Sequence, residues 1–399
     1  MRKTTSFPLF AAVAAATALA ATVAAAPASA QPARASAGLS CSSTLKLALV
    51  TPLTGGAGFL GQQQSSWAKY AIKTLAPTMG LKIKLVLGDT PVEQGAAVAQ
   101  TLAQKYVADK SVVGVIGPST SGAVAAASKT LTQAGILHIS ESATRTTLSK
   151  GDNQEAGNAF YRVVPADDIQ GPTDASYMMK TLKVKNVVVI DFQEPYSQGL
   201  ASAVETALKA GGVTVSHLSI SNTTTDFSTF VTKVPADADI VFFPTQKPGD
   251  AQAFAQQLAE QGKKAKVFGG DGSNDSSAFK AAGSYVSNFA PDISGIASDK
   301  AIIAGWQKDN KGKTLGSFGP PTYGAVQVML KAIKAACVKG HGSIAKRGAI
   351  VQSVKGVSVP TNWILGGSFK WGKANLHDPA NAKFYIFQIQ SDGTYKLVG

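Results

Sequence analysis

Histidine and cysteine are scarce in this chain: four of the first and two of the second in 399 residues. His138, His217, His341 and His377 lie far apart, with no i, i+4 pair and no cysteine beside them. That spacing excludes a zinc-type cage, and neither metal nor cofactor is expected. Catalytic signatures are missing too. There is no Gly-x-Ser-x-Gly elbow, no phosphate loop and no Gly-x-Gly-x-x-Gly after a strand. Ser121, the best-placed hydroxyl, has no evident His or Lys base, so the chain does not read as an enzyme. Acidic residues are outnumbered, 24 against 38 Lys and Arg, for a formal charge of +14. The lysines are scattered, and no Arg-rich run carries interleaved aromatics, so nucleic acid is not an expected partner. The charge reads as a soluble basic surface, with attraction to an anionic envelope or to an acidic partner as alternatives. Past the first 26 residues no run is long and apolar enough to cross a bilayer.

What is present begins with an export signal. Arg2 and Lys3 precede an apolar, Ala-rich run over 9–26, and Ala28-Ser29-Ala30 supplies a small-x-small cleavage site. Residues 1–30 are read as a secretory signal peptide and 31–41 as a flexible leader, which places the mature chain in the periplasm or cell envelope. Export permits a disulfide between Cys41 and Cys337, the preferred reading. A lipid on Cys41 and two free thiols remain alternatives that spacing does not separate.

Apolar runs alternate with helical stretches along most of what remains. Strands are expected over 45–50, 83–87, 112–116 and 137–139, then over 186–191, 213–218, 239–244 and 266–269. Helices are expected between them, over 61–78, 92–108, 196–210 and 250–261, for example. Continuous apolar strands separated by helices imply parallel sheets covered on both faces. Two such sets give an α/β fold of two doubly wound parallel-sheet lobes. Three crossovers are expected, near 163–166, 291–294 and 371–378. Lobe one takes 42–164 and 292–372, lobe two 165–291 and 373–399. In this architecture ligands bind beyond the C-terminal ends of the strands.

Two segments stand at such ends: Gly117-Pro118-Ser119-Thr120-Ser121-Gly122, which opens an Ala-rich helix, and Ser140-Glu141-Ser142-Ala143-Thr144. Hydroxyls and free N–H groups at a helix start suit an anion such as a carboxylate, though Ser and Thr are also ordinary N-caps. Asp271 in Gly269-Gly270-Asp271-Gly272 reads by itself as a turn.

The order of these fragments is similar to that of the branched-chain amino-acid-binding proteins, the solute receptors of ABC importers with the periplasmic-binding-protein type I fold. The resemblance is carried by residues 45–55, Gly117-Pro118 with Ser121, the strand and loop over 135–148, Phe160-Tyr161-Arg162, Asp168-Ile169-Gln170-Gly171, Asp226-Phe227-Ser228 and Thr322-Tyr323-Gly324-Ala325. It implies a pocket. Ser121, Ser142 and Thr144 would hold the ligand carboxylate, Thr144 reaching the amine as well. Asp271 would pair with the α-ammonium, and Tyr196 would close over the ligand. Leu60, Gln246 and Phe318 would form the walls. Gln246 replaces a tyrosine of the leucine-binding members, Leu60 replaces an aromatic residue, and Asp271 is one methylene shorter than the commoner Glu. The implied function is capture of an amino acid or similar small zwitterion by hinge closure, in a monomer that serves a membrane ABC permease. The alternative is a sensor of amides or amino acids with a signalling partner.

Overall fold

Strand β1 (Thr44–Thr51) shows why the apolar runs are continuous. Leu45, Leu47 and Leu49 enter one hydrophobic cluster and Ala48 and Val50 another, so the pleat buries both faces. A computed structural model of the chain describes residues 38–151, 154–381 and 383–399. The signal peptide and the leader up to residue 37 lie outside the described residues. In lobe one, β1 pairs with β2 (Lys82–Asp89) and β3 (Val112–Ile116), followed by β4 (Leu137–Ser140) and β5 (Phe160–Arg162). The order is β2-β1-β3-β4-β5, all parallel. Lobe two repeats the pattern with β6 (Asn186–Asp191), β7 (Thr214–Ser219), β8 (Ile240–Phe242), β9 (Lys266–Gly269) and β10 (Tyr285–Asn288). Its order runs β7-β6-β8-β9-β10, then two antiparallel additions, β11 (Tyr385–Ile389) and β12 (Tyr395–Leu397).

Helices α1 (Gly58–Leu75), α2 (Gly95–Ala108) and α3 (Ser121–Gln133) cover lobe one, α1 on one face of the sheet and α2 and α3 on the other. Lobe two carries α4 (Asp167–Tyr177), α5 (Pro195–Ala210) and α6 (Pro248–Glu260). The chain then returns to lobe one as α7 (Lys300–Asp309), α8 (Gly319–Lys339) and α9 (Gly348–Val354). Trp67 of α1 stacks on Trp306 of α7, ring centroids 4.9 Å apart, which ties the returning segment to the first helix. Among the described residues no helix is long and apolar enough to cross a membrane.

Phe160–Arg162, inside the expected span of lobe one, is its edge strand, because its backbone completes the ladder of β4. Two differences from the sequence reading have physical causes. The third crossing falls after the expected 371–378. Trp371 bridges Pro379, and Asp378 is bound to the buried Arg162, so this segment still belongs to lobe one. The end of the leader is fixed. Leu39–Ser40 forms an antiparallel ribbon with Ile344 and Ser343, and Cys41 is disulfide-bonded to Cys337 across 296 residues. A thioether lipid on Cys41 is incompatible with that bond.

Candidate functional site

In both lobes the strand order reverses beside the first strand of the lobe, between β1 and β3 and between β6 and β8. Loops leaving such strands in opposite directions open a crevice at their C-terminal ends. A cavity of about 190 Å³ lies between the lobes at this level. Val92, Ala96 and Ala123 of lobe one and Phe192 and Pro195 of lobe two give it an apolar lining. Thr120, Gln246, Glu93, Glu194 and Lys247 supply its polar atoms.

On the lobe-one side, Thr120 caps α3, its hydroxyl accepting from Ala123 N at 3.4 Å. The first turn of α3 leaves N–H groups without intrahelical acceptors. Most of the serine hydroxyls here are already engaged. Ser121 Oγ accepts from Arg145 N at 3.2 Å. Ser142 Oγ donates to Ser119 O at 2.6 Å and accepts from Gln64 Nε2 at 3.0 Å. Ser140 Oγ donates to Pro118 O at 2.7 Å. These bonds lock the two loops together. Thr144 is the exception: its hydroxyl is fully buried beside Asp167 and, among the described residues, makes no well-aligned hydrogen bond.

On the lobe-two side, Tyr196 Oη donates to Asp271 Oδ1 at 2.9 Å and accepts from Gly272 N at 3.1 Å. Glu194 caps α5, accepting from Tyr196 N at 3.0 Å and Ser197 N at 2.9 Å. The glycines around Asp271 are there for close approach. A Cβ on Gly270 would sit 2.3 Å from Tyr196 Oη, and one on Gly272 would sit 2.9 Å from Thr245 O. The segment is therefore a fitted seat for Asp271 and Tyr196.

The site is dominated by buried acid. Burial pushes Asp271 up to about 7, partly offset by the Tyr196 hydroxyl and the Gln170 amide. Asp167, at the start of α4, is pushed to about 8 by burial and then by the charge of Asp271, offset in part by the neighbouring Thr144 hydroxyl, and among the described residues neither of its oxygens has a well-aligned hydrogen-bond partner. Burial also raises Glu194 and Glu141 to about 7. Asp174, hydrogen-bonded by Ser287 at 2.9 Å, is raised by burial as well. In the folded state these groups keep protons that the unfolded chain releases near pH 4, so stability falls as pH rises through about 7 to 8. His138, buried and lowered to about 4, acts in the opposite sense but only below its ordinary 6.5. The melting temperature of ligand-free protein is expected to fall between about pH 6.5 and 8.5. Asp167→Asn should remove part of that fall. Calorimetric melts across this range check the expectation, and a flat profile contradicts it.

The structure thus brings Tyr196 and Asp271 into contact and sets Gln246 on the cavity. Ser121, Ser142 and Thr144 are placed together in lobe one, but neither they nor Tyr196 and Asp271 line the cavity, whose walls are their chain neighbours. Leu60 and Phe318 are farther off, at the hinge. Expected as pocket walls, they are 2% and 1% exposed in a cluster with Val164, Phe289, Ala290 and Phe384, residues at or beside the three crossings. Phe318 meets Phe59 and Phe289 edge-on, at 5.6 Å from each. Their apolar bulk fills the hinge and leaves the cavity to other side chains. Sequence reasoning missed Val92, Phe192, Pro195, Glu194, Lys247 and Asp167. Phe192 and Glu194 directly follow an expected strand, a position that could have marked them.

Comparison with known proteins agrees with this geometry. Residues 44–394 match the family described as periplasmic binding protein. The chain is 30% identical to Leu/Ile/Val-binding protein homolog 1 of Brucella abortus over 358 residues, covering 87% of this chain and 91% of that one. It is 29% identical over 327 residues to a Leu/Ile/Val-binding protein of Rhizobium johnstonii, covering 79% and 85%. Among solved structures, a leucine-binding protein of Thermotoga maritima superposes with a TM-score of 0.76 at 20% identity, covering 89% and 98%. A solute-binding protein of R. palustris in complex with benzoate gives 0.76 at 20% identity, covering 90% and 96%. Members of this family bind solutes outside the cytoplasm and are not enzymes. This chain, with its two doubly wound lobes, belongs to the branched-chain amino-acid-binding group of the periplasmic binding protein family.

Proposed function

We propose that this protein captures an α-amino acid with an apolar side chain, branched-chain or related, and delivers it to a membrane ABC permease. What supports the reading is the pairing of Tyr196 with Asp271, buried in lobe two. An ammonium group would neutralise Asp271, which has no cationic partner among the described residues. The carboxylate would sit at the start of α3, with the Thr144 hydroxyl and backbone N–H groups as donors. Ser121 and Ser142 contribute mainly by shaping that loop, since their hydroxyls are engaged. The side chain would extend into the cavity between Val92, Phe192 and Pro195. The tyrosine-to-glutamine change at Gln246 supplies an amide at that wall, which argues against simple copying of leucine specificity.

Contacts to one ligand from both lobes favour the closed arrangement, because only closure makes all of them. Some structural neighbours hold aromatic acids, benzoate among them. An amine-free anion would leave Asp271 without a cation, so this acid favours the zwitterion. Calorimetric titration of ligand-stripped protein with leucine, isoleucine and valine tests the proposal. Saturable binding of at least one supports it, and no heat with any α-amino acid, alongside binding of benzoate, overturns it.

A further inference from the structure

The positive charge of this chain is confined to one lobe. Lobe one (38–164 and 291–383) carries 24 Lys and Arg against 10 Asp and Glu, whereas lobe two (165–290 and 384–399) carries 11 against 14. The net values are +14 and −3. Of the lobe-two acids, Asp167, Asp174 and Asp271 are buried and Glu194 lines the cleft, so the outer surface of that lobe is close to neutral. The asymmetry is therefore a property of the outside of lobe one.

The kind of cation matters as much as the count. Only three of the 24 are arginines, and each is engaged within the chain. Arg162 is fully buried against Asp378. Arg145 pairs with Glu155 at 3.2 Å, and Arg347 donates to the carbonyls of Tyr106 and Val107. The outward charge is lysine. One cluster of it lies where α1 meets α7 and the turn after it. Lys69, Lys73, Lys308, Lys311 and Lys313 are all exposed there, with Asp309 as the one acid among them, 2.6 Å from Lys73. Lys69, Lys73 and Lys313 line a groove of about 230 Å³ together with Ser65 and Asn310.

We infer that this lysine face of lobe one docks the protein on an anionic phospholipid surface. Protein–protein interface cores are depleted in lysine and enriched in arginine and aromatic residues, the reverse of this face. Lysine is a compact charge on a flexible stem and makes no demand for a fixed partner geometry, which suits a fluid sheet of phosphate headgroups. Several lysines near such a surface add their attractions, and the effect fades within a Debye length. The bonding of Cys41 to Cys337 gives the face a purpose, because that sulfur is closed to a thioether lipid. Docking through lobe one alone would concentrate the protein at the membrane and leave lobe two free to swing on the hinge.

The test is co-sedimentation of the mature protein with vesicles of about 30% phosphatidylglycerol in phosphatidylcholine, and with phosphatidylcholine alone, at about 50 mM and 500 mM salt. Binding is expected only with phosphatidylglycerol and only at low salt. The variant Lys69→Glu/Lys311→Glu/Lys313→Glu should bind at least about tenfold more weakly. The lobe-two variant Lys180→Glu/Lys185→Glu/Lys264→Glu, with the same net charge change, should lose less than about threefold. Melting curves establish that each variant is folded, and glutamine versions replace any that is not. No binding by the wild type at low salt overturns the inference, whatever acidic protein the face later proves to hold. Equal losses in the two variants overturn it too, since net charge alone would then suffice.

Discussion

Alanine at Asp271 is expected to weaken binding of an α-amino acid at least about a hundredfold, close to 3 kcal/mol. The side chain is 2% exposed and held by Tyr196 Oη at 2.9 Å, so its position is set before any ligand arrives. Preorganisation of that kind makes a charge-assisted hydrogen bond strong, and a bound ammonium left without its acid would be buried and unpaired. Asp271→Asn keeps the shape and removes the charge. It should lose nearly as much, which separates the electrostatic contribution from packing. The empty protein should respond in the opposite way. Burial raises Asp271 to about 7, so near pH 8 its ionised form destabilises the ligand-free closed state. The alanine variant should therefore melt no lower than the wild type at that pH. Titration calorimetry and thermal melts on the same samples read both effects. Loss of binding together with a large fall in melting temperature would mean that Asp271 serves the fold and not the ligand.

The second large effect concerns Arg162, which supports the site from behind. Its Nε donates to Asp378 Oδ1 at 2.7 Å, and Nη1 donates to Ala143 O at 3.1 Å and Arg145 O at 2.9 Å. Nη2 reaches Ser149 Oγ. One fully buried guanidinium thus fixes the loop that carries Thr144 and pins the segment just before the third crossing. Arg162→Met removes the buried cation from Asp378, which keeps Ser149, Asn375 and Lys150, and strands two carbonyls in the interior, and a loss of about 3–5 kcal/mol is expected. Adding Asp378→Leu should recover part of this, because the carboxylate that lost its guanidinium is gone while the carbonyls of Ala143 and Arg145 remain unpaired. Denaturant titrations of the two variants measure the difference. If the double variant is no more stable than the single one, the ion pair is not what Arg162 contributes. Ligand affinity should fall in both, since the Thr144 loop is released in both.

Much of the fold was legible because the strands are buried on both faces. Val187-Val188-Val189-Ile190 must be a central parallel strand, since its alternate residues feed two different clusters. Tyr285–Asn288 was not legible, because Ser287 and Asn288 are polar and their burial depends on Asp174, Gln170 and the neighbouring strands. Leu60 and Phe318 mark the limit for the site. An apolar residue near a loop can line a pocket or fill a hinge, and only the positions of Phe289 and Phe384 decide which. Asp167 was passed over because an acid at a helix start is ordinary in sequence. Its full burial without a well-aligned partner among the described residues is visible only in three dimensions.

The most direct test of the central claim compares leucine with 4-methylpentanoate, the same molecule without its amine, in calorimetric titrations of ligand-stripped protein. Leucine is expected to bind saturably and 4-methylpentanoate at least about a hundredfold more weakly, the preference vanishing in Asp271→Asn. Equal affinity for the two in the wild type would contradict the ammonium–Asp271 pairing and make the cleft a receptor for simple carboxylates.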